Sequence, residues 1–410
     1  MQPRIRWIYS SRLHLVMYSM LLVATPFIFL QSFLVEKIGE ISATRAPVGP
    51  YSIPLMPVIG LIAVVVLIFW LRRLITKYLI AAIGVVVLMN AAAQQITDYY
   101  FDHRFYDLQQ NWHYIAYALF AYMMYRDLEP RGKSLARIMW LTFVSAMLFS
   151  TFDETFQKHM SSRVFDVSDI AKDTWGVLMG MVLVYLGGPR AGEMLKSGRS
   201  IRHRRIGEYF RHPLSSLILM VVLTFILLCN ASLLSDFEYW PMVLLLSAAG
   251  IVAVFMAFHF SQYKKAMIAM STAAALVVVA QGWAFLKYKS EGVVHNSYGL
   301  TVYRGVPIPF YDVLIFPDDG FRLVDKKHYF NSRDQAFFLR HEPDILLIGS
   351  GSQGLGGRGF HGTAPNQFIY NRYTRKGVQV IILPSPDACR VFNRLKREGK
   401  NVLFVLHNTC

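Results

Sequence analysis

The side chains with the greatest potential for chemistry lie in residues 149–180, where an apolar run gives way to a group of charges. Glu154 and Gln157 stand three residues apart near the end of that run, so they would share one face of a helix. Asp169 follows in a polar segment, and Asp173 is predicted to open the next apolar helix. Ionisable groups at the edge of hydrocarbon are costly unless paired or solvated, which makes them candidates for a functional site.

Two interpretations of this cluster remain open. In the first, the cluster meets an envelope substrate: Arg163 holds an anionic group, while Glu154 and His113 exchange protons. In the second, the acids pair with Arg163, Lys172 and His113 in a network that only holds helices together. No spacing of metal ligands is convincing, and no cofactor is predicted.

The elements that must position these residues are those of a membrane protein. Of the 410 residues, 54% are apolar and 17% are charged, which excludes a disordered chain, a collagen and a typical soluble enzyme. About 20 apolar residues cross the hydrocarbon of a bilayer. We predict about nine spans: Leu15–Phe33, Pro57–Trp70, Tyr78–Ala93, Trp112–Tyr125, Ile138–Phe152, Trp175–Leu186, Leu214–Leu233, Trp240–Phe258 and Met267–Phe285.

The net charge of +16 is unevenly distributed between these spans. Nineteen Lys and Arg residues lie in one set of alternating connections and six in the other, which predicts a cytoplasmic N-terminus. The densest basic stretch is Lys196–Pro213. We interpret it as a topology anchor that contacts anionic membrane lipids and not as a nucleic-acid site, so no nucleic acid is expected as a partner. The same topology places His113, Glu154 and Asp173 near the outer face.

A different composition begins near residue 289, where charges and glycines return. Asp312–Phe316, Asp344–Gly349, Val378–Leu383 and Asn401–Leu406 are predicted strands, and Pro386–Glu398 is a predicted helix with Pro at its start and Gly399 after its end. A strand, that helix and the next strand make a βαβ unit. Nine spans from a cytoplasmic start would place this soluble domain outside the cell membrane.

Two features of this domain have ordinary explanations. Residues 349–354 read GSGSQG, but the following residues do not start a helix, so a glycine turn is favoured over a dinucleotide site. Cys389 at a helix start could have a lowered pKa, but a buried small residue is the favoured interpretation. Three cysteines are too few for a disulfide framework, although Cys389 and Cys410 could form one bond.

Residues 10–190 resemble the VanZ-like family of integral membrane proteins. Glu154 and Gln157 match its ExxQ, Arg163 and Phe165 its RxF, and Asp169, Gly176 and Gly180 its longer motif, while Asp173 stands where the family has asparagine. His113 and Tyr117 match an HxxxY segment. The resemblance implies the cell envelope and a link to glycopeptide tolerance, without implying a reaction. Together with the polar cluster, the motif positions predict a binding site formed by His113, Tyr117, Glu154, Gln157, Arg163, Asp169 and Asp173.

Residues 297–410 resemble the Mth-nine-three-eight-like domain. The matching segments include DVLIFP (312–317), PDILLIGSG (343–351) and ACRVFNRL (388–395). The resemblance implies a soluble three-layer α/β fold with a mixed sheet, and a role in docking a protein partner rather than in catalysis.

The predicted organisation therefore has four parts: a VanZ-like membrane domain of about six spans (1–190), a basic cytoplasmic loop (191–212), three further spans (213–288) and the α/β domain (289–410). The favoured function is binding or scaffolding of an envelope lipid or glycan headgroup. The alternatives are a membrane-embedded enzyme that uses Glu154 as acid and base, and a transporter.

Overall fold

The computed structural model describes residues 37, 40–41, 44–48, 51–71, 75–97, 108–157, 167–189, 191–200, 205–234, 240–324, 326–360 and 367–409. They form two compact units. The first contains the described residues up to 259 except Trp240, and the second contains Trp240 and the described residues from 260 onward.

The described residues of the first unit form helices and one hairpin. Its elements are β1 (Arg45–Val48), β2 (Tyr51–Pro54), α1 (Leu55–Leu71), α2 (Lys77–Thr97), α3 (Leu108–Leu128), α4 (Leu135–Gln157), α5 (Val167–Met181), α6 (Ala191–Ser200), α7 (Ile206–Arg211), α8 (Pro213–Leu234) and α9 (Trp240–Phe260).

Helix α5 lies at the centre of this unit and packs against α2, α3, α4 and α8. Its residues from Ile170 onward are all buried, and it continues into a π-helical turn, Val182–Leu186. A Cβ atom at Gly176 would lie 2.8 Å from the Cα of Tyr114, and one at Gly180 would lie 2.5 Å from the carbonyl oxygen of Ala118. The two glycines therefore allow α3 and α5 to meet backbone to backbone, as their GxxxG spacing predicts.

Five helices in the described part of the chain are long and apolar enough to cross a membrane: α2, α4, α8, α9 and α10 (Lys264–Tyr288). The predicted spans Pro57–Trp70, Trp112–Tyr125 and Trp175–Leu186 involve α1, α3 and α5, which are not among these five helices. The predicted span Leu15–Phe33 lies outside the described residues. The chain is thus a membrane protein, and the number nine stays a prediction.

The second unit continues from α10 into a domain rich in strands. Its elements are β3 (Val293–Ser297), β4 (Leu300–Tyr303), β5 (Val306–Pro309), β6 (Asp312–Ile315), β7 (Phe321–Val324), α11 (Ser332–Arg340), β8 (Ile345–Gly349), β9 (Gln367–Asn371), β10 (Lys376–Leu383), α12 (Ser385–Arg397) and β11 (Val402–Leu406).

Six of these strands form a mixed sheet in the order β7-β6-β11-β8-β10-β9, and β3, β4 and β5 form a second, antiparallel sheet. Strands β10 and β11 run parallel to β8, which lies between them. The predicted βαβ unit, β10-α12-β11, therefore connects two strands that are separated by β8. Alternate residues of the large sheet enter two separate cores. One core includes Phe392 of α12 and the other includes Phe338 of α11.

The glycine turn and the buried cysteine that the sequence favours are both present in this domain. A turn and not a helix follows β8, and Gly351 and Gly354 have φ angles of 89° and 75°, which favour glycine. Burial raises the pKa of the Cys389 thiol to about 12, so this cysteine is not activated by its place at the start of α12.

Candidate functional site

The candidate site is centred on a contact between α3 and α5. The Nδ1 atom of His113 lies 2.8 Å from Oδ1 of Asp173. The other carboxyl oxygen, Oδ2, accepts a 2.6 Å hydrogen bond from the hydroxyl of Ser150 on α4. Asp173 is almost fully buried, so its carboxyl joins three helices through polar contacts inside the unit. The close approach at Gly176 brings His113 within reach, because the carbonyl oxygen of His113 lies against that glycine.

A second carboxyl lies on the more open side of His113. The Nε2 atom is 3.8 Å from Oδ1 of Asp169, which is beyond a direct hydrogen bond. The same Asp169 oxygen accepts a 2.9 Å hydrogen bond from the ammonium group of Lys172, one turn further along α5. The side chains of His113 and Asp169 are 20% and 19% exposed, whereas that of Lys172 is 3% exposed. A ligand would therefore meet the cluster at His113 Nε2 and Asp169.

Tyr117 and Ser150 complete the inner part of the cluster. Tyr117 follows His113 by four residues on α3, so the two side chains share a helix face. Its buried phenol lies beside Ser150 and Asp173. Ser150 was not predicted from the sequence, although it precedes Glu154 by four residues and therefore lies on the same face of α4. That helical spacing was the signal that could have identified it.

The remaining predicted site residues, Glu154, Gln157 and Arg163, differ in how much of each the structure describes. Glu154 lies on α4 and is buried, with 2% of its surface exposed. Gln157 is the last residue of α4, and its side chain is not among those described. Arg163 lies outside the described residues, so its predicted contact with an anionic group stays a prediction.

Two local predictions were wrong. Asp169 was assigned to a polar loop and Asp173 to the first turn of the next span, but α5 begins at Val167 and has Asp169 in its first turn. A carboxylate is favoured there because it faces the positive end of the helix dipole. Residues 191–212, predicted as a basic cytoplasmic connection between spans, contain the short helices α6 and α7, and the side of the membrane on which they lie stays a prediction.

The contacts favour recognition over covalent chemistry. A nucleophilic serine needs its hydroxyl next to a base such as histidine, but the Ser150 hydroxyl donates to Asp173. His113 is instead held at Nδ1 by a carboxyl group, which fixes the orientation of its Nε2 atom. Two carboxyl groups and one ammonium group around an imidazole suit a ligand that offers hydrogen-bond donors or an amine. Among the described side chains, no group of three or more His, Cys, Asp or Glu residues could hold a metal ion.

Residues 11–188 match the model of the VanZ/LLP1 family, so the VanZ-like resemblance of this part is confirmed. No curated protein matches the chain significantly. A solved structure titled MT938 is 18% identical, with 29% of this chain and 98% of that chain covered and a TM-score of 0.22. A score of that size is too low to support any statement about the fold of the second unit.

Proposed function

We propose that this membrane protein of the cell envelope uses the His113 cluster to bind the polar headgroup of an envelope lipid or glycan. The cluster consists of His113, Asp169, Lys172, Asp173 and Ser150. The observation that carries the proposal is the fixed orientation of His113, whose Nδ1 atom is bound to buried Asp173 while Nε2 faces the partly exposed Asp169. In this proposal the site faces outward, and Arg163, Glu154, Gln157 and Tyr117 belong to its binding surface.

The positions of the charges support binding over a purely structural network. Lys172 and Asp169 lie on the same helix, so their ion pair does not join two helices. Between α3 and α5, glycine packing already provides close contact. A headgroup amine or hydroxyl could approach Asp169 and His113 Nε2 without disturbing the bond between His113 and Asp173. A phosphate of the same ligand would then meet Arg163.

The first prediction concerns the affinity for such a headgroup. Replacing Asp169 by asparagine removes the charge on the open side but keeps the side-chain size. The affinity for a polyprenyl-diphosphate-linked disaccharide should then fall about tenfold or more, because a hydrogen bond to a charged group contributes about 1.5–3 kcal/mol. Native mass spectrometry of the purified full chain, titrated with that lipid, measures the effect.

Asp127→Asn is the matched control. Asp127 is another acid of the membrane unit that forms an ion pair within four residues, but its partner is Arg131 near the far end of α3. It should leave the affinity unchanged. Equal affinities for wild type, Asp169→Asn and Asp127→Asn would contradict the proposed site, and equal losses would show a general effect on folding.

A membrane-embedded enzyme is the second candidate, because Glu154 is a buried carboxyl on the same face as Ser150. This role requires Glu154→Gln to abolish turnover of an envelope precursor while the lipid still binds. A transporter is the third candidate, and accumulation of substrate in proteoliposomes is the assay that separates it from the other two. Tolerance of envelope-targeting antibiotics would be a consequence of any of these roles.

We further propose nine spans, a cytoplasmic N-terminus and an extracytoplasmic three-layer α/β domain at 289–410 that docks a partner. A membrane-impermeant maleimide should then label Cys410 in intact cells. Cys389 should not compete, since it is buried and its pKa is raised to about 12. Labelling that requires permeabilised cells would place the domain in the cytoplasm and contradict the nine-span topology. A Cys410→Ser variant shows which thiol reacts.

A further inference from the structure

The β9–β10 hairpin, residues 367–383, carries a group of exposed aromatic rings. Phe368 and Tyr370 on β9 are each 62% exposed, and Tyr373 in the turn is 65% exposed. Across the strand pair, Tyr370 faces Gly377, which has no side chain to cover it. Helix α12 packs against β3, β8, β10 and β11. The rings therefore lie on the outermost strand of the sheet, next to the strands that α12 covers.

The turn of this hairpin is basic and held in one conformation. Arg372, Arg375 and Lys376 are exposed, and the sequence has no Asp or Glu between Asp344 and Asp387. Buried Asn371 fixes the turn, because its side-chain oxygen accepts a hydrogen bond from the backbone N–H of Tyr373 and its amide donates to the carbonyl of Leu339. The backbone that carries these cations and rings is therefore held in place by hydrogen bonds of Asn371.

The register of the sheet shows which face carries the rings. Phe368 pairs with Gln379 and Tyr370 with Gly377, so their side chains share a face with Ile381 of β10. Ile381 packs in the core that contains α12 and the residues of β3, β4 and β5. Strand β3 follows α10 directly, and the side-chain amide of Gln281 on α10 donates a 2.7 Å hydrogen bond to the carbonyl of Gly305 beyond β4. The exposed rings therefore lie on the face of the sheet to which the membrane helix α10 is attached.

We propose that the β9–β10 hairpin binds the surface of the membrane in which α10 lies, with its rings at the interface and its cations on anionic headgroups. Tyr and Trp rings are enriched at this depth, and each Lys or Arg near an anionic surface adds attraction. Two observations favour a lipid surface over a protein partner. The domain is attached to α10 on the sheet face that carries the rings. The unbroken positive charge of the hairpin complements anionic lipid.

Hydrogen exchange of the full chain in nanodiscs tests this proposal. Amides of residues 367–377 should exchange about tenfold or more slowly in discs of phosphatidylcholine with phosphatidylglycerol than in discs of phosphatidylcholine alone, since three cations contribute to the contact. The triple variant Arg372→Glu/Arg375→Glu/Lys376→Glu should lose this difference. Arg333→Glu/Arg358→Glu changes two exposed cations outside the hairpin and should retain it.

Each other outcome contradicts the proposal. Equal exchange in the two kinds of disc would show that the hairpin does not respond to anionic lipid. Protection that rises with the number of chains per disc, and not with phosphatidylglycerol, would assign the hairpin to contact with a second copy. Protection that persists in the triple variant would show that charge does not hold the hairpin on the surface. Unchanged exchange in β8 and β11 serves as the check that each variant is folded.

Discussion

Replacement of Gly180 by alanine should strongly destabilise the membrane unit, although it adds only one methyl group. The new Cβ would lie 2.5 Å from the carbonyl oxygen of Ala118 and 2.8 Å from its Cα, closer than atoms can approach. Because both contacts are with backbone, no side-chain rotation relieves them, and α3 and α5 must separate. We expect the free energy of unfolding to fall by about 2–3 kcal/mol, as in overpacked cores.

Gly84→Ala provides the matched control for that experiment. Gly84 lies inside α2, and a Cβ there has no neighbouring atom within 4 Å. Because alanine favours helix more than glycine does, this variant should be neutral or stabilised by up to about 1 kcal/mol. Thermal unfolding of the purified full chain in one detergent measures both variants. Equal melting temperatures for Gly180→Ala and wild type would contradict the backbone contact between α3 and α5.

The same variant links packing to the candidate site. Gly176 lies one turn before Gly180, and a Cβ atom there would be 3.0 Å from the carbonyl oxygen of His113. If the two helices separate, the 2.8 Å contact between His113 and Asp173 lengthens as well. Headgroup binding should therefore weaken in Gly180→Ala even though no residue of the His113 cluster has changed.

How much could be predicted from the sequence differed between the two units. The four predicted strands and the helix of the second unit are confirmed within one or two residues at each end, because each is a continuous apolar run between turn residues. Strands β3, β7 and β9 are short and half-exposed, so their sequences lack that contrast. Helix α11 was also missed, although Asn331 and Asp334 form a capping box at its start.

In the first unit, the sequence identified candidate site residues but did not predict which of them pair with each other. The sequence allowed His113 and Lys172 to be named as partners of the acids, and the structure pairs them with Asp173 and Asp169. Which acid meets which base depends on the rotation of α3 against α5, and the glycine contacts set that rotation. The start of α5 was missed because its first two turns contain the polar residues Ser168, Asp169, Lys172 and Asp173, which are not typical of a helix that is buried from Ile170 onward.

A buried ion cluster in the second unit leads to the other large prediction. The carboxyl group of Asp312 is 1% exposed and accepts hydrogen bonds from the ammonium group of Lys326 at 3.2 Å and the backbone N–H of Asn408 at 2.9 Å. The Nδ1 atom of His407 lies 2.6 Å from its other oxygen. Burial alone would raise the pKa of Asp312, but Lys326, His407 and the Asn408 N–H together hold that pKa below its usual value. The domain is therefore built around an ionised carboxylate.

Asp312→Asn should lower the stability of this domain by about 3–5 kcal/mol at neutral pH, because it leaves the buried charge of Lys326 without its partner. Since the pKa of Asp312 is lowered by folding, its contribution is fully present above the unfolded value of about 3.9 and is lost as the pH falls through the lower folded value. The wild-type domain should thus weaken below about pH 4 by an amount that Asp312→Asn no longer shows.

The denaturant midpoint of the domain, determined in the full chain at pH 7 and at pH 3, measures both effects. Unfolding is followed by hydroxyl-radical oxidation of Phe404 and Leu406, which are buried in the folded domain. Asp387→Asn is the control, because Asp387 is a half-exposed acid that pairs with Arg390 on the surface of α12. Its loss should cost less than about 1 kcal/mol, as exposed ion pairs do. If Asp312→Asn and Asp387→Asn shifted the midpoint equally, the cluster around Asp312 would contribute no more than a surface pair. If Asp312→Asn kept the full wild-type loss of stability on acidification, protonation of Asp312 would not be its cause.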